Sequence, residues 1–282
     1  MDIPPRQELL WSTLLAVRNL GGSASIEEIV EEVPRQQRFS EEQQAVLHGD
    51  GPMTEIQYRL AWARTYLKGM GLLINSSRGV WSLTDQGRTV TQAEIEPLRR
   101  AYLAEIQARR LGGEPGGAAP DGDDDDDAGQ DKWRDQLLEA LLGVPPDAFE
   151  RLAQRLLREA GFINTTVTGK TGDGGIDGVG VYRVSLVSFP VFFQCKRYRG
   201  SVGSAAVRDF RGAMAGRGDK GLLITTGSFT SDAKSEATRD GAPPIDLVDG
   251  ERLCDLLKEY ELGVTTRQRE VVTVNRDFFS EL

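Results

Sequence analysis

Residues 172–198 read GDGGIDGVGVYRVSLVSFPVFFQCKRY, and this stretch decides the fold of the second half of the chain. A glycine-rich turn ends at Asp177, a β-branched stretch follows, and an apolar and aromatic run then leads to Gln194-Cys195-Lys196. The pattern predicts two strands joined as a hairpin. Because alternate residues of a strand share a face, Gln194 and Lys196 should lie together beside Asp177, with Cys195 on the opposite face.

A carboxylate, an amide oxygen and an ammonium at one sheet edge suit Mg²⁺-assisted hydrolysis of a phosphodiester. Mg²⁺ prefers oxygen ligands, so Asp177 would supply the anchoring charge and Gln194 a side-chain or neighbouring backbone oxygen. Lys196 would position or help deprotonate the attacking water and stabilise negative charge on the phosphorus. Glu150, on the preceding predicted helix, is a candidate second carboxylate. Taken singly, an Asp after glycines is more often a turn residue, and a Gln-x-Lys more often a solvated strand end.

Helical and strand patterns alternate around this hairpin. Together they predict an α/β fold, a sandwich with helices on both faces of a central mixed sheet. The predicted strands are 162–168, 178–187, 191–198, 221–225 and 245–248, and the predicted helices are 146–160, one around 207–214, 231–239 and 251–260.

The charge of the chain is unevenly distributed. Its formal net charge of −9 argues against a nucleic-acid partner only if the charge is spread evenly. Residues 112–131 hold eight acidic residues and no basic ones, so the remainder carries −1. We interpret this segment as a flexible acidic linker between a domain at 1–111 and a domain at 132–282, because it has few apolar side chains to offset the entropy of ordering. A Ca²⁺ loop at 121–127 is the alternative, but the spacing of an EF-hand is missing.

The first domain reads as helices followed by a hairpin. Ser25 with Glu28, and Thr54 with Gln57, have the spacing of capping boxes at helix starts. Two short alternating segments around the turn at 75–79 then resemble paired strands. Three helices and a terminal hairpin predict a winged helix-turn-helix, which serves DNA recognition or, alternatively, protein interaction.

Basic residues in both domains are candidate DNA contacts. Residues 196–220 hold seven basic and two acidic residues, a local charge of +5, although ordinary solvated charge is the alternative for any such run. Thr225, Thr226 and Ser228 could donate to a phosphate or cap the next helix. The candidate basic contacts are Arg59, Arg64, Lys68 and Arg78 in the first domain, and Arg197, Arg199, Arg208 and Arg211 in the second.

Several functional classes are excluded. No apolar stretch reaches the roughly 18 residues of a membrane span, and the N-terminus lacks the pattern of a signal peptide, so we expect a cytoplasmic protein with no membrane partner. Cys195 and Cys254 are far apart and His48 is the only histidine, which leaves too few ligands for a zinc cluster and none for a histidine triad. Carboxylates and lysine must therefore carry any catalysis.

Five segments of the second domain, in order, resemble the catalytic domain of Mrr-type restriction endonucleases, which belong to the PD-(D/E)xK nuclease superfamily. The resemblance covers roughly residues 145–262, and residues 5–92 resemble the Mrr N-terminal winged-helix domain. The segments are Phe149-Glu150, Gly161-Phe162, 172–178 (GDGGIDG), 193–198 (FQCKRY) and 224–230 (ITTGSFT).

This resemblance implies a Mg²⁺-dependent endonuclease, with Mn²⁺ as a substitute, acting on double-stranded and often methylated DNA in the manner of type IV restriction. Asp177 matches the metal-binding Asp, Gln194 the acidic position of (D/E)xK, Lys196 its lysine and Glu150 the helix glutamate. Gln194 departs from the superfamily pattern but is usual in the Mrr branch, and it removes one negative charge from the metal site. Asp173 either joins the site or only shapes the turn.

Cutting both strands needs two active sites, so we expect a homodimer or larger assembly on DNA. Two further functions fit the same residues. One is a DNA-binding regulator whose nuclease fold is inactive, and the second is a nuclease for branched or damaged DNA.

Overall fold

The computed structural model describes residues 3–49, 51–77, 79–111, 126–167 and 175–267. The candidate residues Arg78 and Asp173, and residues 112–125 of the predicted linker, lie outside these ranges. Within the described residues, none of the helices combines the length and apolar character that a membrane crossing needs.

The first domain packs helices against a small antiparallel sheet. The sheet has the strand order β1-β3-β2. The elements in chain order are α1 (Arg6–Asn19), β1 (Ser23–Ser25), α2 (Ile26–Gln37), α3 (Glu41–Gln44), α4 (Glu55–Gly69), β2 (Leu73–Ser77), β3 (Val80–Leu83), α5 (Asp85–Thr89) and α6 (Gln92–Leu111).

The predicted helices and hairpin of the winged helix-turn-helix are present in this domain. Both predicted capping boxes form, with Ser25 at the start of α2 and Thr54 at the start of α4. The apolar stripes of α1, α2 and α4 meet in one core, whose largest member is the fully buried Trp81 of β3. The short helix α3 was not predicted, and it also begins with a capping box, at Ser40.

The second domain alternates strands and helices. Its elements are α7 (Asp126–Gly143), α8 (Pro146–Glu159), β4 (Ile163–Val167), β5 (Gly178–Val184), β6 (Val187–Lys196), β7 (Ser201–Val202), α9 (Ser204–Met214), β8 (Gly221–Thr225), β9 (Ser228–Phe229), α10 (Ser231–Ala237), β10 (Ile245–Val248) and α11 (Gly250–Glu259).

The prediction of an α/β sandwich around a mixed sheet is confirmed. The five-stranded sheet has the order β10-β8-β6-β5-β4. Strands β10, β8 and β6 are parallel to one another, whereas β5 is antiparallel to both β6 and β4. One apolar cluster joins the sheet to α9 and α10, and a second joins it to α7, α8 and α11. Each face of the sheet is therefore covered by helices.

The prediction for the linker is wrong at its C-terminal end. Residues 126–131 form the first turns of α7 rather than irregular chain. The leucines of α7, among them Leu138 and Leu141, pack on the second apolar cluster and so favour the helix.

Candidate active site

Asp177 stands at the start of β5, beside the end of β6. Its backbone N–H donates to the carbonyl oxygen of Phe193 at 2.9 Å. Its carboxylate oxygen Oδ2 accepts a hydrogen bond of 2.6 Å from the backbone N–H of Cys195. The carboxylate is thus held against the strand segment that connects Gln194 to Lys196, as the two-residue strand period predicts.

The two faces of this strand segment also separate as predicted. Phe192, which shares the alternation of Gln194 and Lys196, packs against the cluster on the side of α9 and α10. Cys195 packs against the opposite cluster, beneath α7, α8 and α11.

Gly175 provides room for the side chain of Gln194. A Cβ atom at Gly175 would lie 2.6 Å from Nε2 of Gln194, closer than any real side-chain contact, and the residue has a φ of +96°. Only glycine satisfies both the backbone angle and the close approach without strain. Gly175 therefore lets the chain approach the amide of Gln194 closely.

Two buried threonines hold the end of the strand that carries Lys196. Thr225, on the parallel strand β8, pairs with Lys196, and its hydroxyl donates to the carbonyl oxygen of Lys196 at 2.8 Å. The same hydroxyl accepts from the N–H of Gly227 at 3.1 Å. Thr226 accepts from the N–H of Tyr198 at 2.8 Å and donates to its carbonyl oxygen at 2.9 Å. Both threonines are at most 1% exposed, so their hydroxyls serve the backbone and not a phosphate.

Ser228 is likewise engaged within the protein and does not cap the following helix. Its hydroxyl pairs with that of Ser201 at 2.7 Å. Thr230, rather than any of the three predicted residues, caps the helix α10.

Burial and neighbouring charges shift the pKa values of Asp177 and Glu150. Burial raises the pKa of the Asp177 carboxyl above its ordinary value, although the Cys195 N–H and the charge of Lys196 oppose the shift. The pKa of Glu150 is raised by burial and by the negative charges of Asp177 and Asp147. Asp177 and Glu150 therefore repel each other.

The same charges act on Cys195. Burial, together with Asp177 and Glu150, raises the pKa of this thiol well above its ordinary value, which keeps it protonated. A protonated buried thiol is a poor nucleophile, so Cys195 has a packing role here.

The donor set suits a hard divalent cation. Asp177 and Glu150 supply two carboxylates and Gln194 an amide, all of them oxygen donors of the kind that Mg²⁺ prefers. A cation beside Glu150 would relieve the repulsion from Asp177 that, together with burial, raises the pKa of Glu150. The described residues hold no group of three or more His, Cys, Asp or Glu side chains that could bind a metal ion.

The predicted basic contacts of the second domain fall into two groups. Arg208 is exposed on α9 and donates to the hydroxyl of Ser204 at 3.0 Å, and Arg199 forms an exposed ion pair of 3.1 Å with Glu139. Arg197 is directed to the backbone instead and donates to the carbonyl oxygen of Leu142.

Arg211 does not lie on the surface, and this corrects its prediction as a DNA contact. It is 9% exposed, pairs with Glu236 of α10 and donates to the carbonyl oxygen of Pro243 at 3.1 Å. Residues three apart on a helix are separated by about 60° around its axis, which is enough to put Arg208 in solvent and Arg211 beneath α10.

In the first domain, two of the predicted contacts are also engaged elsewhere. Arg59 pairs with Glu55 at 2.6 Å and donates to the carbonyl oxygen of Ile3 at 2.6 Å. Arg64 is 7% exposed and lies over the ring of Trp81 at 5.8 Å. Lys68 lies over the same ring at 5.9 Å and is exposed.

The mixed sheet, with the carboxylate of Asp177 held against the strand segment from Gln194 to Lys196, is typical of nucleases of the restriction-endonuclease class. The restriction endonuclease family Mrr_cat matches residues 141–257, and the Mrr N-terminal domain family matches residues 7–93. The type IV methyl-directed restriction enzyme EcoKMrr of Escherichia coli strain K12 is 34% identical over 252 residues, which cover 78% of this chain and 81% of that enzyme. The chain belongs to the Mrr family and is an endodeoxyribonuclease.

Solved structures of two further restriction enzymes are similar at a greater distance. The DNA modification-dependent restriction endonuclease AspBHI is 22% identical with a TM-score of 0.40, and MspJI in complex with an oligonucleotide is 22% identical with a TM-score of 0.34. Each match covers 66% of this chain, and it spans 52% of AspBHI and 49% of MspJI, about half of each.

Proposed function

We propose that this endonuclease is a type IV restriction enzyme that depends on Mg²⁺, with Mn²⁺ as a substitute, and cuts methylated double-stranded DNA in the cytoplasm. The observation that supports the metal dependence is the carboxylate of Asp177, held by the Cys195 N–H against the strand segment that carries Gln194 and Lys196, with Glu150 near enough for the charge of Asp177 to raise its pKa. Methylation as the signal rests on the similarity to EcoKMrr, whose name describes it as methyl-directed.

Each residue of the proposed site has a different role. Asp177, Glu150 and Gln194 would hold the cation, which when bound polarises the phosphate and acidifies a water. The hydrogen bond from the Cys195 N–H occupies one carboxylate oxygen of Asp177 and leaves the second available as a ligand. The Lys196 ammonium orients the attacking water and stabilises the negative charge that develops on the phosphorus. Arg199 and Arg208 are the exposed second-domain arginines suited to flanking phosphates.

The deciding experiment incubates the full chain with methylated or unmethylated plasmid, in Mg²⁺, Mn²⁺ or EDTA. We expect cleavage of the methylated plasmid alone, only with metal, and none by Asp177→Ala or Lys196→Ala. Cleavage that persists in EDTA or in these variants would refute the mechanism. Equal cutting of both plasmids would remove the dependence on methylation. Tight DNA binding without cleavage under any condition would indicate a regulator with an inactive nuclease fold.

Because a double-strand cut needs two active sites, we also propose that the enzyme acts as a homodimer or larger assembly on DNA. The mass of the protein–DNA complex, measured by analytical ultracentrifugation at the concentrations used for cleavage, tests this. Full double-strand cutting by a complex that contains one chain would contradict it.

A further inference from the structure

The first domain supplies caps for two helices of the second domain. Helix α9 begins after Gly203, which offers no side-chain cap. Glu41 of α3 fills this role, because its Oε1 accepts from the N–H of Ser204 at 2.8 Å and from the hydroxyl of Thr230 at 3.3 Å. An anionic side chain at a helix N-terminus satisfies an unpaired N–H and interacts favourably with the helix dipole.

Gln44, one turn further along, caps α10 in the same way. Its Oε1 accepts from the N–H of Ser231 at 3.0 Å and from the hydroxyl of Ser231 at 3.2 Å. Its own carbonyl oxygen accepts from the hydroxyl of Ser201 at 3.0 Å. Gln44 and Ser201 are both buried, so these bonds lie inside the contact between the domains.

An ion-pair group completes the contact. Lys234 of α10 lies between Glu27 and Glu31 of α2, at 3.4 Å and 3.2 Å. The residues Glu27, Glu31, Glu41 and Gln44 together form what we call the acidic docking face of the first domain. A contact made of hydrogen bonds and ion pairs is typical of domain interfaces that open and close, rather than of a permanent hydrophobic interface.

The docked arrangement turns α4 toward the second domain. Gln57, Ala61 and Arg64 follow one another at helical spacing, so they share a face of α4, and Lys68 continues the same stripe. The first three line a cleft of about 170 Å³, open to solvent. Its opposite wall includes residues 226–229 and 249–251 of the second domain.

A DNA duplex does not fit this cleft. A helix that reads DNA enters a major groove about 12 Å wide, with the two strands rising on either side of it. The cleft has a volume of about 170 Å³, that of a cube with an edge of roughly 5–6 Å, too small for a groove about 12 Å wide with its flanking strands. The face of α4 that carries Arg64, one of the residues predicted to contact DNA, is therefore covered by the catalytic domain, whereas Lys68 remains exposed.

We propose that the docked arrangement is an autoinhibited state, in which the acidic docking face holds the domains together and must leave the second domain before α4 can enter a DNA groove. The inference rests on the proposed function, action on duplex DNA, and on the sequence prediction that Arg64 and Lys68 of α4 contact that DNA. Binding to DNA then selects the open form, and the apparent affinity for DNA is reduced by the fraction of molecules that are closed.

Glu41→Ala/Gln44→Ala tests the docking, with Glu42→Ala as a matched control on the same helix. The control removes the same charge, but the side chain of Glu42 interacts with Ser40 of its own domain. We expect the double variant to show a larger radius of gyration by small-angle X-ray scattering and about tenfold tighter binding to methylated duplex, with neither change in the control. An unchanged radius and unchanged affinity would overturn the proposal. An equal gain in DNA affinity in Glu42→Ala would show that loss of charge alone explains the tighter binding, and this result would also overturn the proposal.

A reversible crosslink tests the same idea in the opposite direction. Glu31→Cys and Lys234→Cys place thiols on facing sides of the contact, and a reducible bis-maleimide would join them. We expect the crosslinked protein to bind duplex at least tenfold more weakly and to regain binding on reduction, while wild type under the same treatment is unaffected. Undiminished DNA binding by the crosslinked protein would refute autoinhibition. DNA binding and the radius of gyration are measured without cleavage, so these tests do not depend on nuclease activity. If the proposed nuclease function is wrong, the wild-type protein will bind DNA but will not cut it.

Discussion

The carboxylate of Asp177 accepts a 2.6 Å hydrogen bond from the backbone N–H of Cys195. This bond ties the residue at the start of one strand to the middle of the Gln194-Cys195-Lys196 segment on the next. The carboxylate of Asp177 is thereby held against the strand segment that carries Gln194 and Lys196. Its negative charge raises the pKa of Glu150, and the charge of Lys196 lowers the pKa of Asp177.

Asp177→Asn should reduce the cleavage rate by about 10²-fold or more. The same substitution should stabilise the metal-free protein. The pKa of Asp177 is raised by burial, so its charged form is disfavoured in the folded state. The folded state consequently binds this proton more tightly than the unfolded state, and stability falls as pH rises through the raised pKa. Asn removes the charge and keeps an oxygen that can accept from Cys195.

Urea unfolding in EDTA at several pH values measures this effect. The variant should be more stable than wild type at neutral pH, and the difference should narrow as the pH falls and Asp177 becomes protonated. A variant that is less stable than wild type at neutral pH would contradict the assignment.

Gln194→Glu should lower the metal concentration needed for half-maximal cleavage by about tenfold. The substitution adds a negative charge beside Asp177, which strengthens cation binding but increases repulsion when no cation is present. Metal titration of the cleavage rate, together with melting temperatures in EDTA, measures both effects. A variant with unchanged metal dependence would indicate that the side chain at 194 does not face the cation.

Thr225→Val should reduce kcat about tenfold with little change in KM, because the hydroxyl of Thr225 holds the backbone of Lys196. Thr225→Ser should restore activity. Thr13→Val is the matched control, since Thr13 is fully buried and donates to the carbonyl oxygen of Leu9 at 2.7 Å, far from the site in sequence. Both valine variants should lose about 1–3 kcal/mol of stability. A similar kcat in the two valine variants would leave Thr225 with a structural role only.

Arg211→Gln and Arg208→Gln should separate a structural arginine from a DNA contact. The ion pair between Arg211 and Glu236 has side chains only 10% and 12% exposed, so breaking it should cost about 3–5 kcal/mol, measured by urea unfolding. Arg208→Gln should leave stability almost unchanged, weaken DNA binding for all sequences and reduce the salt dependence of log K by about one phosphate contact. A large loss of stability in Arg208→Gln, together with weaker DNA binding but unchanged stability in Arg211→Gln, would disprove both assignments.

Much of the fold could be predicted because its signals are local. The alternation of residues 178–196, the capping boxes at Ser25 and Thr54, and the separation of Cys195 from Gln194 depend on patterns that span only two to four residues along the chain. Those short patterns predicted the strands of the hairpin and the helices α2 and α4, and they led to the proposal of Asp177, Gln194 and Lys196 as active-site residues.

The errors concern residues whose environment is set by distant parts of the chain. A basic residue on a helix looks the same in sequence whether it faces water, as Arg208 does, or pairs with Glu236, as Arg211 does. The capping box of α3, at Ser40 with Gln43, was a signal that could have identified that helix. Nothing local could have identified Glu41 as a cap for a helix 163 residues away.

The sequence by itself determined the class of chemistry, because the order and spacing of Asp177, Gln194 and Lys196 on two adjacent strands leave few different arrangements of their side chains. Only the tertiary structure decided how the two domains meet and which arginines remain exposed. Those features depend on hydrogen bonds and ion pairs between segments far apart in the chain, such as Glu41 with Ser204 and Glu31 with Lys234, and such pairings leave no periodic pattern in the sequence.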